Sequence, residues 1–173
     1  MSQIQRVRLV VFDVDGVLTD GSYALSDDGV EAKRFHARDG LGIRVGRDAG
    51  LVIGVLTAKV SAATQRRVQE IGVDHFVEGC GQKRPGIDRL MHDAAVSPDQ
   101  TAYLGDDLLD LPAMLRVGFP MAVSDAAEEV RSAAVYITQA AGGHGAAREA
   151  IEHILKAHNK WDAVVRRFCE GDC

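Results

Sequence analysis

The chain has 173 residues, of which 46% are hydrophobic, 26% are charged and 5% are aromatic, a balance typical of one folded, water-soluble domain. Its net charge is −5, and its 20 Lys and Arg residues are scattered along the sequence. Because binding to a nucleic-acid backbone needs a concentrated basic surface, this charge pattern argues against a nucleic-acid partner.

The first predicted element is a buried strand, VRLVVF at 7–12, which stops at Asp13. Its apolar run is too short for a signal peptide or a membrane span, so we expect a cytoplasmic protein without membrane contact. Similar apolar runs recur at 51–56, 75–79, 101–105, 119–123 and 135–138. Helical patterns separate them, at 40–49, 61–71, 84–95, 109–117, 126–131 and 145–158. This alternation predicts an α/β fold: a doubly wound, mostly parallel, Rossmann-like sheet in a single domain, 1–173.

Residues 22–35 interrupt the alternation of strands and helices. Their sequence alternates around Asp28-Gly29, a dipeptide that favours a tight turn, so we predict a β-hairpin flap there. No insertion is large enough to form a separate cap domain, and residues 159–173 are expected to form a short helical tail. The cysteine spacings match no zinc-binding pattern, which predicts free thiols at Cys80, Cys169 and Cys173.

Polar residues follow three of the predicted strands: Asp13 and Asp15 the first, Thr57 the second and Asp106 the fourth. Because the carboxyl ends of the strands converge in a doubly wound sheet, we expect these side chains to meet. Carboxylates held so close repel each other unless a cation lies between them, and Mg²⁺ prefers such oxygen ligands. An EF-hand calcium loop is excluded, since DVDGVLTDG lacks the third acidic ligand and the glycine at the required spacing.

In this order along the chain, these residues resemble the motifs of the haloacid dehalogenase superfamily. DVDGVLTDG matches its first motif, Leu56-Thr57 its second, Lys83 its third, and GDDLLD, which begins at Gly105, its fourth. The combination is far more specific than a lone pair of aspartates, for which capping a helix or shaping a turn is an equally good interpretation.

The resemblance implies a role for each matched residue. Asp13 attacks phosphorus to form an aspartyl phosphate, and Asp15 protonates the leaving alcohol and then deprotonates the hydrolytic water. Mg²⁺ is held by Asp13, the Asp15 main-chain carbonyl and Asp106. Lys83 and the Thr57 hydroxyl stabilise the charge on the phosphoryl group.

Asp107 and Asp110, in the fourth motif, have two possible interpretations. They are interpreted as residues that orient a metal-bound water or Lys83. The alternative is that they are the acidic residues commonly found where a helix begins, and the sequence leaves both alternatives open.

Longer segments are similar to the small capless branch of the superfamily, typified by the phosphatases of 3-deoxy-D-manno-octulosonate 8-phosphate in lipopolysaccharide synthesis. These segments are FDVDGVLTDG, RFHARDGLGIR (34–44), YLGDDLLDLPAM (103–114), RVGFPMAV (116–123) and AGGHGAARE (141–149). The resemblance implies a sugar-acid phosphate as substrate and a homotetramer. In that assembly the flap of one chain helps to close the active site of its neighbour, as a capless site requires.

Thr57-Ala58-Lys59 departs from the family's usual Thr-Gly-Arg, so a flexible point charge replaces a bidentate fork. Related phosphatases of nine-carbon keto sugar acids often have an acidic residue at this position, so the resemblance implies that a basic residue favours the eight-carbon octulosonate. Lys33, Arg38 and Asp39 are further candidates for substrate contact, and their alternative is a solvated and ion-paired surface. His144 is another candidate, and its alternative is an incidental histidine at the start of a helix.

Three alternative functions stay open on the sequence. One is a phosphatase of nine-carbon keto-sugar-acid 9-phosphates. Another is a catalytically idle oligomerisation module of the same fold, although all the matched motif residues are present. A third is a phosphotransferase that passes the phosphoryl group to a sugar instead of water.

Overall fold

The strands of the computed structural model, which describes residues 2–171, form two sheets. In chain order they are β1 (Leu9–Phe12), β2 (Ala24–Leu25), β3 (Glu31–Ala32), β4 (Val52–Leu56), β5 (His75–Val77), β6 (Thr101–Gly105), β7 (Phe119–Ala122) and β8 (Tyr136–Ile137). Six of them are parallel, in the spatial order β5-β4-β1-β6-β7-β8, whereas β2 and β3 form an antiparallel pair. The predicted α/β fold with a hairpin is confirmed, and residues 2–171 contain no cap domain.

Helices cover both faces of the parallel sheet. They are α1 (Ala37–Asp48), α2 (Ala62–Ile71), α3 (Lys83–Asp93), α4 (Leu111–Met114), α5 (Glu128–Ala133), α6 (Ala146–Ala157) and α7 (Trp161–Glu170). Helix α1 packs against α2 and α6 on one side, while α4 packs against α3 and α5 on the other. Because both faces are covered, β1 and β6 are buried along their whole length, which explains their continuous apolar sequences.

The order of the strands defines where a ligand site is expected. From β1 the chain runs outward through β4 to β5, and it then returns past β1 to β6 and continues in the opposite direction. The connections therefore diverge between β1 and β6, and a crevice opens at the carboxyl ends of these two strands. Asp13 directly follows β1 and Asp106 directly follows β6, so both residues lie at this switch point.

Helix α1 begins at Ala37, earlier than the predicted start at Gly40. A Cβ atom on Gly42 would lie 2.8 Å from the Cα of Arg148, and one on Gly46 would lie 2.9 Å from the Cδ1 of Ile151. These glycines lower the intrinsic helix propensity, but they allow α1 and α6 to pack closely.

The C-terminal tail is helical, as predicted, up to Glu170. Cys80 and Cys169 are free thiols, as predicted, whereas Cys173 lies outside the described residues. Within residues 2–171, no helix is both long enough and apolar enough to cross a membrane.

Candidate active site

Three carboxylates meet where β1 and β6 end. Side-chain oxygens of Asp13, Asp106 and Asp110 lie within 4.8 Å of one another. Asp13 is fixed by the parallel ladder, since its amide donates a hydrogen bond of 3.1 Å to the carbonyl of Leu104 on β6. The acidic cluster therefore follows directly from the strand order.

Lys83, at the start of α3, provides the positive charge of the cluster. Its Nζ donates hydrogen bonds to Asp13 Oδ1 at 2.7 Å and to the Leu56 carbonyl at 2.9 Å, and it lies 3.1 Å from Asp110 Oδ1. Burial opposes the charged form, but Asp13 and Asp110 outweigh it and raise the pKa of Lys83. Lys83 is therefore a fixed ammonium group beside the Asp13 carboxylate.

Asp110 organises this cluster with both of its oxygens. Oδ1 accepts a 2.6 Å hydrogen bond from the hydroxyl of Tyr103, which is fully buried, and Oδ2 accepts a 2.9 Å bond from the amide of Asp106. The Tyr103 oxygen also accepts a 3.2 Å hydrogen bond from Lys83. Because the lone pairs of Asp110 are occupied in this way, Asp110 orients its neighbours within the cavity lining that it shares with Asp13 and Asp106.

The donor set fits a hard divalent cation such as Mg²⁺. Asp106 Oδ1 is buried and has no hydrogen-bond partner. Burial and the neighbouring Asp110 raise the pKa of Asp13 to about 7 and that of Asp106 to about 8. Gly16 has a φ of 91°, and a Cβ atom there would overlap the Asp106 carboxylate, so only glycine leaves this space open. Clustered carboxylate oxygens of this kind are the ligands that Mg²⁺ prefers.

The cluster opens into a cavity of about 280 Å³ that is also lined by Asp15, Thr57, Ala58 and Lys59. Thr57 follows β4 and is almost fully buried, and its hydroxyl accepts a 3.3 Å hydrogen bond from the Lys59 amide. The sequence-predicted catalytic residues thus surround one cavity. Carboxylates, a hydroxyl group and ammonium groups line it together, an arrangement that can bind a phosphate ester and a cation.

The hairpin of β2 and β3 lies against the same chain's cavity. Lys33 Nζ donates a 2.6 Å hydrogen bond to Asp15 Oδ1. Glu31 forms an ion pair with Lys59 and accepts a 2.8 Å hydrogen bond from the Ser61 hydroxyl. Two of the predicted substrate contacts, Lys33 and Lys59, are therefore at the site and already paired.

The other predicted substrate contacts lie outside the cavity lining. Asp39 is buried, and its two oxygens accept hydrogen bonds of 3.2 and 2.9 Å from the amides of Gly145 and Arg148, at the start of α6. The expectation that Asp39 contacts substrate is therefore corrected, because its carboxylate stabilises a helix terminus. Arg38 and His144 are exposed.

The side chain of Asp107 also caps the start of a helix. Its Oδ1 accepts a 2.7 Å hydrogen bond from the amide of Leu108, which opens the 3-10 helix Leu108–Asp110. This contact corresponds to the second of the two interpretations that the sequence left open for Asp107. Asp110, in contrast, lies next to Lys83, as the first interpretation requires.

Several residues at the site were not singled out by the sequence analysis. A Cβ atom on Gly142 would overlap the carbonyl oxygen of Gly16, so the loop before α6 packs directly on the loop after Asp13. Tyr103 and Glu31 were also missed. Tyr103 could have been recognised from its position in a wholly buried strand, because a buried hydroxyl group needs a polar partner.

Comparison with known proteins assigns the family. The haloacid dehalogenase-like hydrolase family matches residues 53–150. The 3-deoxy-D-manno-octulosonate 8-phosphate phosphatase of Escherichia coli K12 is 36% identical over 162 residues, which are 94% of this chain and 86% of the relative. That of Haemophilus influenzae is 40% identical over 158 residues, or 91% and 88% of the two chains.

Solved structures agree with the sequence comparison. The 3-deoxy-D-manno-octulosonate 8-phosphate phosphatase of Moraxella catarrhalis, in complex with a magnesium ion, a phosphate ion and KDO, superposes with a TM-score of 0.93. It is 36% identical, and the match covers 96% of this chain and 95% of that chain. This chain belongs to the 3-deoxy-D-manno-octulosonate 8-phosphate phosphatase family of the haloacid dehalogenase-like hydrolases.

Membership of this family confirms the predicted resemblance, the capless fold and the class of enzyme, a hydrolase of phosphoric monoesters. Within the 3-deoxy-D-manno-octulosonate 8-phosphate phosphatase family, a cobalt-bound structure from Haemophilus influenzae also superposes, with a TM-score of 0.90 and 39% identity. That match covers 92% of this chain and 94% of the other.

Proposed function

We propose that this protein hydrolyses 3-deoxy-D-manno-octulosonate 8-phosphate to the free sugar acid and phosphate, as a step of lipopolysaccharide precursor synthesis. The observation that carries the proposal is the Asp13 carboxylate, held by Lys83 at the switch point of the sheet, beside the unpaired buried oxygen of Asp106. The chain's similarity to 3-deoxy-D-manno-octulosonate 8-phosphate phosphatases over almost its whole length supports this substrate.

In the proposed reaction, an oxygen of Asp13 attacks phosphorus, and the bond from phosphorus to the sugar oxygen breaks. Asp15 donates a proton to that leaving oxygen, and its carboxylate then removes a proton from the water that hydrolyses the aspartyl phosphate. Lys83 and Thr57 stabilise the charge on the phosphoryl oxygens by ion pairing and hydrogen bonding. All four side chains line the one cavity.

The cofactor that we propose is Mg²⁺. The groups of this chain that would hold it are the Asp13 and Asp106 carboxylates and the Asp15 main-chain carbonyl, with Asp110 supporting them. When bound, Mg²⁺ neutralises the acidic cluster and draws charge from the phosphoryl group.

Lys59 is the side chain that we propose for recognition of the substrate's carboxylate. Lys59 follows Thr57 by two residues, and it lines the same cavity as Asp13. Its ammonium group can therefore bind the sugar part of a substrate whose phosphate lies at Asp13. Lys33 is a second candidate, since it already contacts Asp15. Arg38 and His144 lie outside the cavity lining of their own chain, so they could contact substrate only in the site of a neighbouring subunit.

A panel of sugar phosphates assayed for phosphate release with Mg²⁺ tests the proposed substrate. The panel compares the eight-carbon keto-acid 8-phosphate, a nine-carbon keto-acid 9-phosphate and a neutral sugar phosphate. We expect the eight-carbon ester to have the highest kcat/KM. A higher kcat/KM for the nine-carbon ester would assign the alternative substrate, and no turnover of any ester would indicate a module without activity.

We also propose that the protein is a cytoplasmic homotetramer in which hairpins contribute to neighbouring sites. The hairpin and the loop after Lys59 expose large apolar side chains, which a partner subunit can cover: Tyr23, Leu25, Val30 and Val60. Light scattering after size-exclusion chromatography measures the mass directly. A monomeric mass together with full activity would contradict the assembly.

A further inference from the structure

The end of the hairpin carries two opposite charges that pair with residues of the cavity lining. Glu31 and Lys33 are two residues apart around β3, so their side chains reach the same side. Lys33 holds Asp15, and Glu31 holds Lys59 and the Ser61 hydroxyl. Lys33 Nζ also lies 3.6 Å from Glu31 Oε1, so these charges alternate in sign from Asp15 to Lys59.

Of Lys33 and Lys59, Lys59 is the one that lines the cavity. It is also the residue that replaces the arginine of the family's usual Thr-Gly-Arg. Its Nζ lies 3.6 Å above the centre of the Tyr23 ring, so it is held between an aromatic face and a carboxylate. Hydrogen bonding to Lys59 and Ser61 lowers the pKa of Glu31, and the same bond to Glu31 raises the pKa of Lys59. In this conformation, a carboxylate of the chain itself neutralises Lys59.

We propose that Glu31 sets the affinity for substrate: it occupies Lys59 until the carboxylate of the substrate displaces it. This inference rests on the proposed function, because it requires a substrate that carries a carboxylate. Glu31 and such a substrate offer the same chemical group to one ammonium, so they compete for it. An ester without a carboxylate leaves the Glu31–Lys59 pair in place, so Glu31 lowers the affinity for sugar-acid phosphates and does not affect the binding of neutral esters.

The exposure of the pair sets the size of the effect. The side chains of Lys59 and Glu31 are 38% and 17% exposed, so solvent weakens their attraction. Partly exposed ion pairs of this kind change an equilibrium by about two- to fivefold. A substrate carboxylate can therefore displace Glu31 readily, whereas a fully buried pair would hold Lys59 too firmly.

Glu31→Gln removes the competing charge and keeps a side chain that can hydrogen-bond to Ser61. We expect its KM for the eight-carbon sugar-acid phosphate to fall about two- to fivefold, with kcat unchanged. For p-nitrophenyl phosphate, which has no carboxylate, we expect the same kinetic constants as for the wild type. Asp27→Asn is the matched control, because it removes the same charge from the exposed tip of the hairpin.

A double-mutant cycle with Lys59→Gln identifies the partner of Glu31. If Glu31 acts by competing for Lys59, Glu31→Gln has no further effect on KM once Lys59 is replaced. A rise in KM for both substrates would instead show that Glu31 only anchors the hairpin, and an unchanged KM for the sugar acid would also overturn the inference. If the wild type hydrolysed p-nitrophenyl phosphate but no sugar-acid phosphate, the proposed function would fail first, and the inference with it.

Discussion

The two sides of the cavity are built in different ways. On the side of the sheet, Lys83 and Asp110 are each 1% exposed, and they are fixed by strands, main-chain carbonyls and the Tyr103 hydroxyl. On the side of the hairpin, Glu31 and Lys59 are 17% and 38% exposed, and they are held by each other, by the Ser61 hydroxyl and by the Tyr23 ring. The comparison separates a rigid part that carries the phosphoryl chemistry from a weaker part that can exchange its ion pairs with a substrate.

Replacement of the nucleophile tests the rigid side most severely. Asp13→Asn keeps the size of the side chain but removes the attacking oxygen, so we expect turnover to fall by at least about a thousandfold. The fold should remain, since the strand ladder does not depend on this carboxylate. Phosphate release and thermal unfolding measure the two effects, and activity close to that of the wild type would contradict the assignment of Asp13.

Asp106→Asn addresses the cation on the same side. We expect the Mg²⁺ concentration for half-maximal activity to rise at least about tenfold, because a neutral amide is a weaker ligand than a carboxylate. The matched control is Asp107→Asn at the adjacent position, whose side chain caps the following 3-10 helix. The assignment of the ion would be wrong if the two variants required Mg²⁺ equally.

The sequence predicted the rigid side well, for a physical reason. The carboxyl ends of the strands in a doubly wound sheet converge regardless of loop conformation. The proximity of Asp13, Thr57 and Asp106 could therefore be predicted from the sequence alone. The boundaries of the elements were less exact. The helical pattern predicted a start at Gly40, although α1 begins at Ala37 and its glycines pack closely against α2 and α6.

The hairpin side was predicted only in outline. The turn at Asp28-Gly29 was correct, but which charges face the cavity depends on how the hairpin packs, and local sequence does not determine this. Asp39 shows the same limit: it was a candidate for contact with substrate, yet packing of α1 on α6 buries it. Glu31 was missed because its importance comes from Lys59, which is distant in sequence.

A smaller effect is expected from Gly142, which supports the rigid side from behind. In Gly142→Ala, the new methyl group overlaps the Gly16 carbonyl, so we expect the protein to lose about 2–3 kcal/mol of unfolding free energy. The matched control is Gly81→Ala, since a Cβ atom there meets nothing within 4 Å. Denaturant unfolding of both variants measures the difference, and equal stabilities would show that the two loops do not pack as described.

The smallest effect concerns Tyr103. Tyr103→Phe keeps the ring in the core and removes the hydroxyl that donates to Asp110 and accepts from Lys83, which should cost about 1–2 kcal/mol of unfolding free energy. Because Lys83 still contacts Asp13 and Asp110 directly, kcat should fall only severalfold and KM should stay unchanged. A change in KM without a change in kcat would place the Tyr103 hydroxyl in substrate binding. It would also mean that the rigid side of the cavity takes part in selecting the sugar.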